Sequence, residues 1–533
     1  MSVILFSSII TLMPEKTTKI GIDLGTSNSC CYCIKGQNNV LPVPMADGSY
    51  LLPSVVYYSK DKDPLLGIAV KKHITGGKTT IVRNSKRLIG RRYDCEDVQL
   101  LLKSCGAPVI NRNGNPVFDL SSIGMEKTPE DIAVDIIQRL LVEARRYTDA
   151  TVTDVCVTVP ARFDNNQRTA TLRALKRCGF SDKHVSILSE PSAAAITYLY
   201  ENENHGDRIL VFDFGGGTLD VSIVNIADGN IVVETNRGNN TLGGVDIDQI
   251  VLEWMNKEFL KSFHKPLDTK NDNTANGKRR NTFTKLLVKA EEAKICLSTE
   301  KTVDISFEGI PGTMTDDGDD SLISLTRATF EKEIKDIVNA ALKVVQEALD
   351  ACHLTKSDIC DVVFVGGSTR IPLLRNAVND YFNSNKVRDG VNPDECVAKG
   401  ACLSFLRSFV LDDSASYSLG QLVGGGRVQW VIPLDCPLPA KRSEKTIIRN
   451  SNMDMVVTYL FQGNSVNKGS TSPSSECIPL APFYYDLSEL DDIEGAVIET
   501  TFEIKKSGIV YVTVMEERSQ TILLDNFKIE FGK

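Results

Sequence analysis

The chain has 533 residues, more than one hydrophobic core usually supports, so two or more domains are expected. Its formal net charge of -9, from 60 Lys and Arg against 69 Asp and Glu, excludes a protein whose whole surface is adapted to nucleic acid. The 14 cysteines are scattered, which fits a reducing compartment better than a disulfide scaffold, and no apolar run is long enough to span a bilayer.

The stretch Met1 to Met13 is apolar but short, lacks a basic start and runs into Pro14, so it reads as an upstream extension and not as a signal peptide. A β-type run, Ile20-Gly21-Ile22, leads into the turn Asp23-Leu24-Gly25-Thr26-Ser27 and, from Asn28, into a second short strand. Cys30, Cys31 and Cys33 fall on that strand with no second cluster at zinc spacing, and read as ordinary strand cysteines. Gly77-Lys78-Thr79 imitates the end of a P-loop but fails it, because the glycine required six positions before the lysine is Lys72. Thr128-Pro129-Glu130-Asp131 reads as a capped helix start, and Ile132, Ile136, Leu140 and Ala144 recur at helical spacing.

The first turn then repeats. Ile209-Leu210-Val211-Phe212 leads into Asp213-Phe214-Gly215-Gly216-Gly217-Thr218, 190 residues after the first copy, and again a short strand follows. Asp268 to Asn281 reads as a polar surface loop, and Glu291, Lys294 and Ser298 fall at i, i+3 and i+7 on one helix face. Ile334, Ile337, Val338, Ala341, Val345 and Leu349 mark another amphipathic helix. A third glycine turn, Gly366-Gly367-Ser368-Thr369-Arg370, follows the strand from Asp361 and enters a helix opened by Ile371-Pro372. Strand, turn and helix alternate in this way over the first four hundred or so residues, which argues for α/β layers.

Beyond Leu411 short strands take over around Val428, Val456 and Phe502, and the turn Lys506-Ser507-Gly508 leads to Ile509-Tyr511-Thr513, the pattern of a β-sandwich. The end, Glu530 to Lys533, carries no endoplasmic-reticulum retention signal.

Glycines at such turns let backbone N–H groups close on phosphate oxygens, and Thr26, Ser27 or Thr218 adds a hydroxyl donor. Asp23 and Asp213 suit the waters around a Mg²⁺ ion. A lone glycine turn after a strand is more often only a turn; two matched copies suggest hairpins facing each other across one nucleotide.

These segments, with Ser85-Lys86-Arg87-Leu88-Ile89-Gly90-Arg91-Arg92, Val159-Pro160-Ala161, Glu190-Pro191-Ser192, Leu242-Gly243-Gly244 and Asn392-Pro393-Asp394-Glu395, resemble the ATPase domain of the 70-kDa heat-shock protein (DnaK-type) chaperones from about Lys19 to about Leu406. The resemblance implies an extension at 1–18, a duplicated actin-like (ribonuclease H-like) α/β ATPase domain at 19–407, a linker at 408–413 and an all-β substrate-binding sandwich at 414–533 without a helical lid. It implies an ATPase using ATP/ADP and Mg²⁺, with Lys71, Glu190, Asp213, Thr218, Asp23 and Asp220 in the catalytic set and Asp23 and Asp213 near the metal through water. Nucleotide contacts would come from Gly25, Thr26, Ser27, Asn28, Gly215, Gly216, Gly217, Thr218, Gly243, Gly244, Glu291, Lys294, Ser298, Gly366, Gly367, Ser368, Arg370 and Asp394. The implied partners are unfolded or nascent polypeptide, a J-domain co-chaperone and a nucleotide-exchange factor, in the cytoplasm, with no direct nucleic acid and no membrane.

This chain departs from the pattern in places. The arginine expected to stack on adenine is Ile295, the aromatic expected two residues after Pro160 is Arg162, and the linker Ser408 to Asp413 is only partly similar, which puts coupling between domains in doubt. Gln421, Thr446 and Thr458 stand where apolar groove residues are expected, beside a retained Val456. The departures leave a second reading open, a co-chaperone partner associated with a J-protein or the ribosome in which nucleotide mainly stabilises the fold. A sugar kinase is a poor third, since no sugar-site motif accompanies the shared nucleotide fold.

Overall fold

The strand Thr17–Asp23 alternates exposed and buried positions at its start and is buried from Ile20 to Ile22. It pairs antiparallel with Asn28–Lys35, so that the Asp23 turn is a tight hairpin, and parallel with Thr151–Val159 on its other side. The computed structural model describes residues 16–70, 73, 80–202, 206–227, 230–268, 277–313, 321–382, 386–388, 390–406, 410–450 and 453–530. Residues 1–15 of the expected extension, Lys71, the Gly77 to Thr79 run and Ser408 and Phe409 of the expected linker lie outside them.

The duplication seen in two turns extends to whole sheets. In the first lobe the strands run in the order Val185–Ser189, Thr151–Val159, Thr17–Asp23, Asn28–Lys35, Asn39–Pro42. In the second the order is Val387–Arg388, Asp361–Val365, Arg208–Phe214, Leu219–Ala227, Asn230–Asn239. Each central strand has a parallel neighbour on one side and an antiparallel hairpin on the other.

Helices repeat as well: Pro129–Thr148 and Lys335–Ala351 precede the equivalent parallel strands, and Asn165–Arg177 and Pro372–Tyr381 follow them. The first opens as its sequence requires, with Thr128 Oγ accepting from the Asp131 amide at 3.1 Å and the Asp131 carboxylate accepting from the Thr128 amide at 2.6 Å. The other expected helix is Lys335–Ala351, with Ile334 at its N-cap, between it and the short helix Arg327–Glu333. Of the expected loop at 268–281, residues 269–276 lie outside the described residues, and the helix Gly277–Cys296 covers its end.

Each lobe has its own core, one around Ile22, Val157, Ile137 and Leu140, the other around Phe212, Val221, Leu252 and Val345. A third cluster joins Ala194, Val211 and Val363 to the helix Cys396–Leu403, which lies between the lobes. Two glycines let that helix in. A Cβ at Gly21 would stand 2.3 Å from the Cys402 nitrogen, and one at Gly400 would stand 1.8 Å from the Ala193 carbonyl oxygen. Cys30, Cys31 and Cys33 are buried free thiols on their strand.

From Ser418 onward two sheets pack face to face, one built on Arg427–Ile432, Ser418–Val423 and Leu460–Gly463, the other on Ala440–Ile447, Val497–Ile504, Val510–Glu516 and Ile522–Lys528. Leu419, Ile432, Phe502 and Val512 from both sheets form one core. Gln421, Thr446 and Thr458 fall on three separate sheets.

The sandwich is docked on the lobes. Val410–Asp412 adds a parallel strand to Asn230–Asn239, so part of the expected linker extends the second lobe's sheet. Arg168, almost fully buried, donates from Nη1 to the Ser507 carbonyl at 3.0 Å, and Asp435 pairs with Arg237 at 2.7 Å. Arg162, the departure from an aromatic, lies 5.0 Å from the centre of the Tyr417 ring and donates to Asn464 at 3.2 Å. Arg162 thus makes a contact at this boundary. Among the described residues no helix is long and apolar enough to cross a membrane.

Candidate functional site

The three glycine turns meet in the cleft between the lobes. A Cβ at Gly216 would lie 2.1 Å from Ser27 Oγ and one at Gly217 would lie 2.6 Å from Thr26 Oγ1, so the first two turns touch. Gly243 backs onto Gly216 and Gly217, and the Val245 amide donates to the Gly216 carbonyl at 2.9 Å. The third turn joins through Ser368 Oγ, which donates to the Gly215 carbonyl at 3.0 Å. Gly366 there has φ +82° and would push a Cβ to 2.6 Å from the Phe214 carbonyl oxygen, so both conformation and space demand glycine. Arg370 closes the far side by pairing with Asp394 at 2.6 Å.

Behind the turns sit the acids. Asp23 ends its strand, Asp213 is paired in register with Asp220 across the second hairpin, and Glu190 opens the helix Glu190–Glu201. Burial, then the charges of Glu190 and Asp394, push the Asp23 carboxyl up to about 7, with Lys86 pulling the other way. Burial and Glu190 raise Asp220 to about 7, and burial with Glu190, Asp220 and Asp23 raises Asp213 well above the carboxylate range. Both carboxylate oxygens of Asp220 are buried, with the Thr218 side chain beside them. Such crowded acids call for positive charge.

The lysine that answers is Lys86. Its Nζ lies 2.9 Å from Glu190 Oε1, and although burial disfavours the ammonium, Glu190, Asp23 and Asp213 raise its pKa overall. Lys71, the lysine expected in the catalytic set, lies outside the described residues, and Lys86 belongs to the run Ser85 to Arg92 that carries the resemblance. The available hint was local: Lys86 and Arg87 stand directly before Leu88-Ile89, and these apolar neighbours are buried. Arg87 also turns inward, 3.3 Å from Asp246.

Toward the other end of the cleft Lys294 pairs with Asp248 at 2.7 Å and donates to the Gly244 carbonyl at 3.1 Å. Glu291 meets Arg83 of the first lobe in an ion pair. Burial raises Asp248 to about 6 despite Lys294. Ser298 lies beyond the end of Gly277–Cys296, in a following turn, where its Oγ reaches the Lys294 carbonyl at 3.4 Å. Asn28 is exposed at the start of its strand. Arg83, Arg87, Asp246 and Asp248 were not anticipated.

Glycine turns that a side chain would fill, with buried acids short of positive charge behind them, suit the phosphates and cation of a nucleotide. Among the described residues no group of three or more His, Cys, Asp or Glu is placed to hold a metal ion directly. Fold and site together define a duplicated two-lobed α/β protein with one glycine-lined cleft and a docked β-sandwich.

The family model described as "Hsp70 protein" matches residues 19–526. The chain is 32% identical over 537 residues to a "Heat shock 70 kDa protein" of Neurospora crassa, an alignment covering 96% of this chain and 78% of that protein. It belongs to the 70-kDa heat-shock protein family. Members of this family are ATP-binding, ATP-hydrolysing chaperones with a two-lobed actin-like ATPase domain and a β-sandwich, and they generally bind unfolded polypeptide with J-domain and nucleotide-exchange co-chaperones.

Proposed function

We propose that this chain hydrolyses ATP in the interlobe cleft and uses the cycle to bind and release unfolded polypeptide on the β-sandwich. The observation that carries this reading is Lys86 Nζ at 2.9 Å from Glu190 among buried acids, directly behind facing glycine turns. Phosphoryl transfer to water needs positioning and charge neutralisation more than covalent chemistry. In this reading the amides of Gly25 to Ser27 and Gly216 to Thr218 hold the phosphates, and Thr26, Ser27 and Thr218 add hydroxyl donors. Lys86 places its ammonium at the γ-phosphate, while Glu190 and Asp213 orient the attacking water, with Asp220 nearby. Mg²⁺, when bound, would neutralise phosphate charge from the side of Asp23 and Asp213, through its own waters. Gly243, Gly244, Lys294, Gly366, Gly367, Ser368, Arg370 and Asp394 wall the cleft toward the nucleoside.

The ATPase domain is assigned to 19–407, the linker to 408–413 and the peptide-binding sandwich to 414–533. A J-domain protein, an exchange factor and a cytoplasmic setting belong to the same reading.

Single-turnover hydrolysis of Mg·ATP tests it. Lys86→Ala should slow the step about 10²–10³-fold, the effect of removing one donor aimed at transition-state charge, with ADP affinity nearly kept. Lys71→Ala measured alongside decides between the two lysines. An unchanged rate in Lys86→Ala removes it from the catalytic set, and no hydrolysis by the parent chain defeats the reading.

A further inference from the structure

Arg83 follows the first-lobe strand Ile81–Val82, and its side chain crosses the cleft to Glu291 on the second-lobe helix Gly277–Cys296. The residue is 9% exposed. A guanidinium so enclosed normally engages most of its five donors, because each unfilled buried donor costs about 1–3 kcal/mol. Here Nη2 reaches Glu291, but Nε and Nη1 are buried with no acceptor among the described residues. Arg83 therefore has donor capacity in excess of what its surroundings use.

Its neighbours say where that capacity lies. Its backbone amide donates to the Cys105 carbonyl at 3.0 Å, its Cγ would be 3.7 Å from a Cβ at Gly106, and its charge is felt at Asp248, the partner of Lys294. Lys294 in turn touches Gly244, so this cluster continues the wall of glycine turns. Across the cleft, Ile295 occupies the position of the expected adenine-stacking arginine and is 60% exposed. Ile295 shares the helix Gly277–Cys296 with Glu291, the residue that holds Arg83.

We propose that Arg83 is a nucleoside-positioning residue. Held by Glu291 through one nitrogen, it presents its Nε and Nη1 edge, and the flat face of the guanidinium, to the ring nitrogens and ribose oxygens of a purine nucleotide. The proposal rests on the adenine-nucleotide reading of the cleft. It assigns Arg83 to the nucleoside and not to the phosphates, which the glycine turns hold.

Calorimetric titration of the full chain with Mg·ADP and with Mg·pyrophosphate separates these roles. Arg83→Met should weaken ADP binding about tenfold or more and leave pyrophosphate binding within about twofold. Adding Ile295→Arg to Arg83→Met should recover most of the ADP affinity, a rescue that a merely structural role does not produce. If Arg83→Met does not fold, Arg83→Lys, which keeps the charge beside Glu291 but loses the fork, carries the same comparison. Equal ADP affinity in parent and variant overturns the assignment. Equal losses for ADP and pyrophosphate also overturn it, by making Arg83 only a strut between lobes. Failure of the parent chain to bind ADP is a different result, visible without any substitution, and removes both this proposal and the reading beneath it.

Discussion

Asn165 is the pin on which the sandwich rests, and Asn165→Ala is the sharpest test of the docked arrangement. The residue is fully buried at the start of Asn165–Arg177. Its side-chain Nδ2 donates to the Ile529 carbonyl at 2.9 Å, and its Oδ1 accepts from the Val510 amide at 2.9 Å. The backbone amide, which alanine keeps, donates to Gln462 Oε1 at 2.9 Å. Truncation strands one carbonyl and one amide in a dry interface, and each costs about 1–3 kcal/mol when left unpaired. The docked state should lose about 2–6 kcal/mol, which shifts its equilibrium with an undocked form by well over tenfold. Arg168 on Ser507, Asn166 on Pro479 and Ser416 on Ala161 remain, so the loss is local to this corner.

Amide hydrogen exchange read at Val510 reports it directly. Protection there should fall by at least about tenfold in the variant, while Val512 and Val514, paired within the sheet, exchange as before. Asn165→Asp should fall between, because a carboxylate still accepts from Val510 but faces the Ile529 carbonyl with no donor. Unchanged protection at Val510 in Asn165→Ala would show that its amide is held by something else and that the docked corner has been misread.

Two further outcomes are expected. Asp23 and Asp220 both titrate near 7 in the fold against an unperturbed 3.8, so the folded chain binds more protons than the unfolded chain between those values. Stability without nucleotide or Mg²⁺ should therefore fall as pH rises from about 4 through about 7, by about several kcal/mol, and Mg·ADP should flatten the slope; thermal melts in chelator that are equal or higher at pH 7.5 than at pH 5 would contradict this. Gly400→Ala should destabilise the protein by about 1–3 kcal/mol or more, because the new methyl meets the Ala193 carbonyl at 1.8 Å with only backbone to move; urea unfolding with an unchanged midpoint would show that the helix can shift outward freely.

Much of this protein is legible in its residues because the relevant physics is short-ranged. A strand followed by Asp and glycines makes a hairpin at Asp23 and again at Asp213, Thr128-Pro129-Glu130-Asp131 opens a helix through neighbours within one turn, and the alternation after Val497 makes a ladder with one buried face. The repeat of the turns signalled the repeat of the sheets. Helix limits were less legible: Ile334 opens the apolar period yet stands outside the helix as its N-cap, and Ser298 keeps the spacing of Glu291 and Lys294 yet falls past the helix end. Periodicity records which face is buried and not where the backbone stops being helical. Lys86 and Arg83, which sequence reasoning did not single out, lie 104 and 208 residues from Glu190 and Glu291, the expected site residues that they pair with. That Lys86 sits on Glu190, and Arg83 on Glu291, depends on how distant segments of the chain pack together. No local pattern carries that, since the energy of a buried charge is set by partners that only the tertiary fold brings within reach.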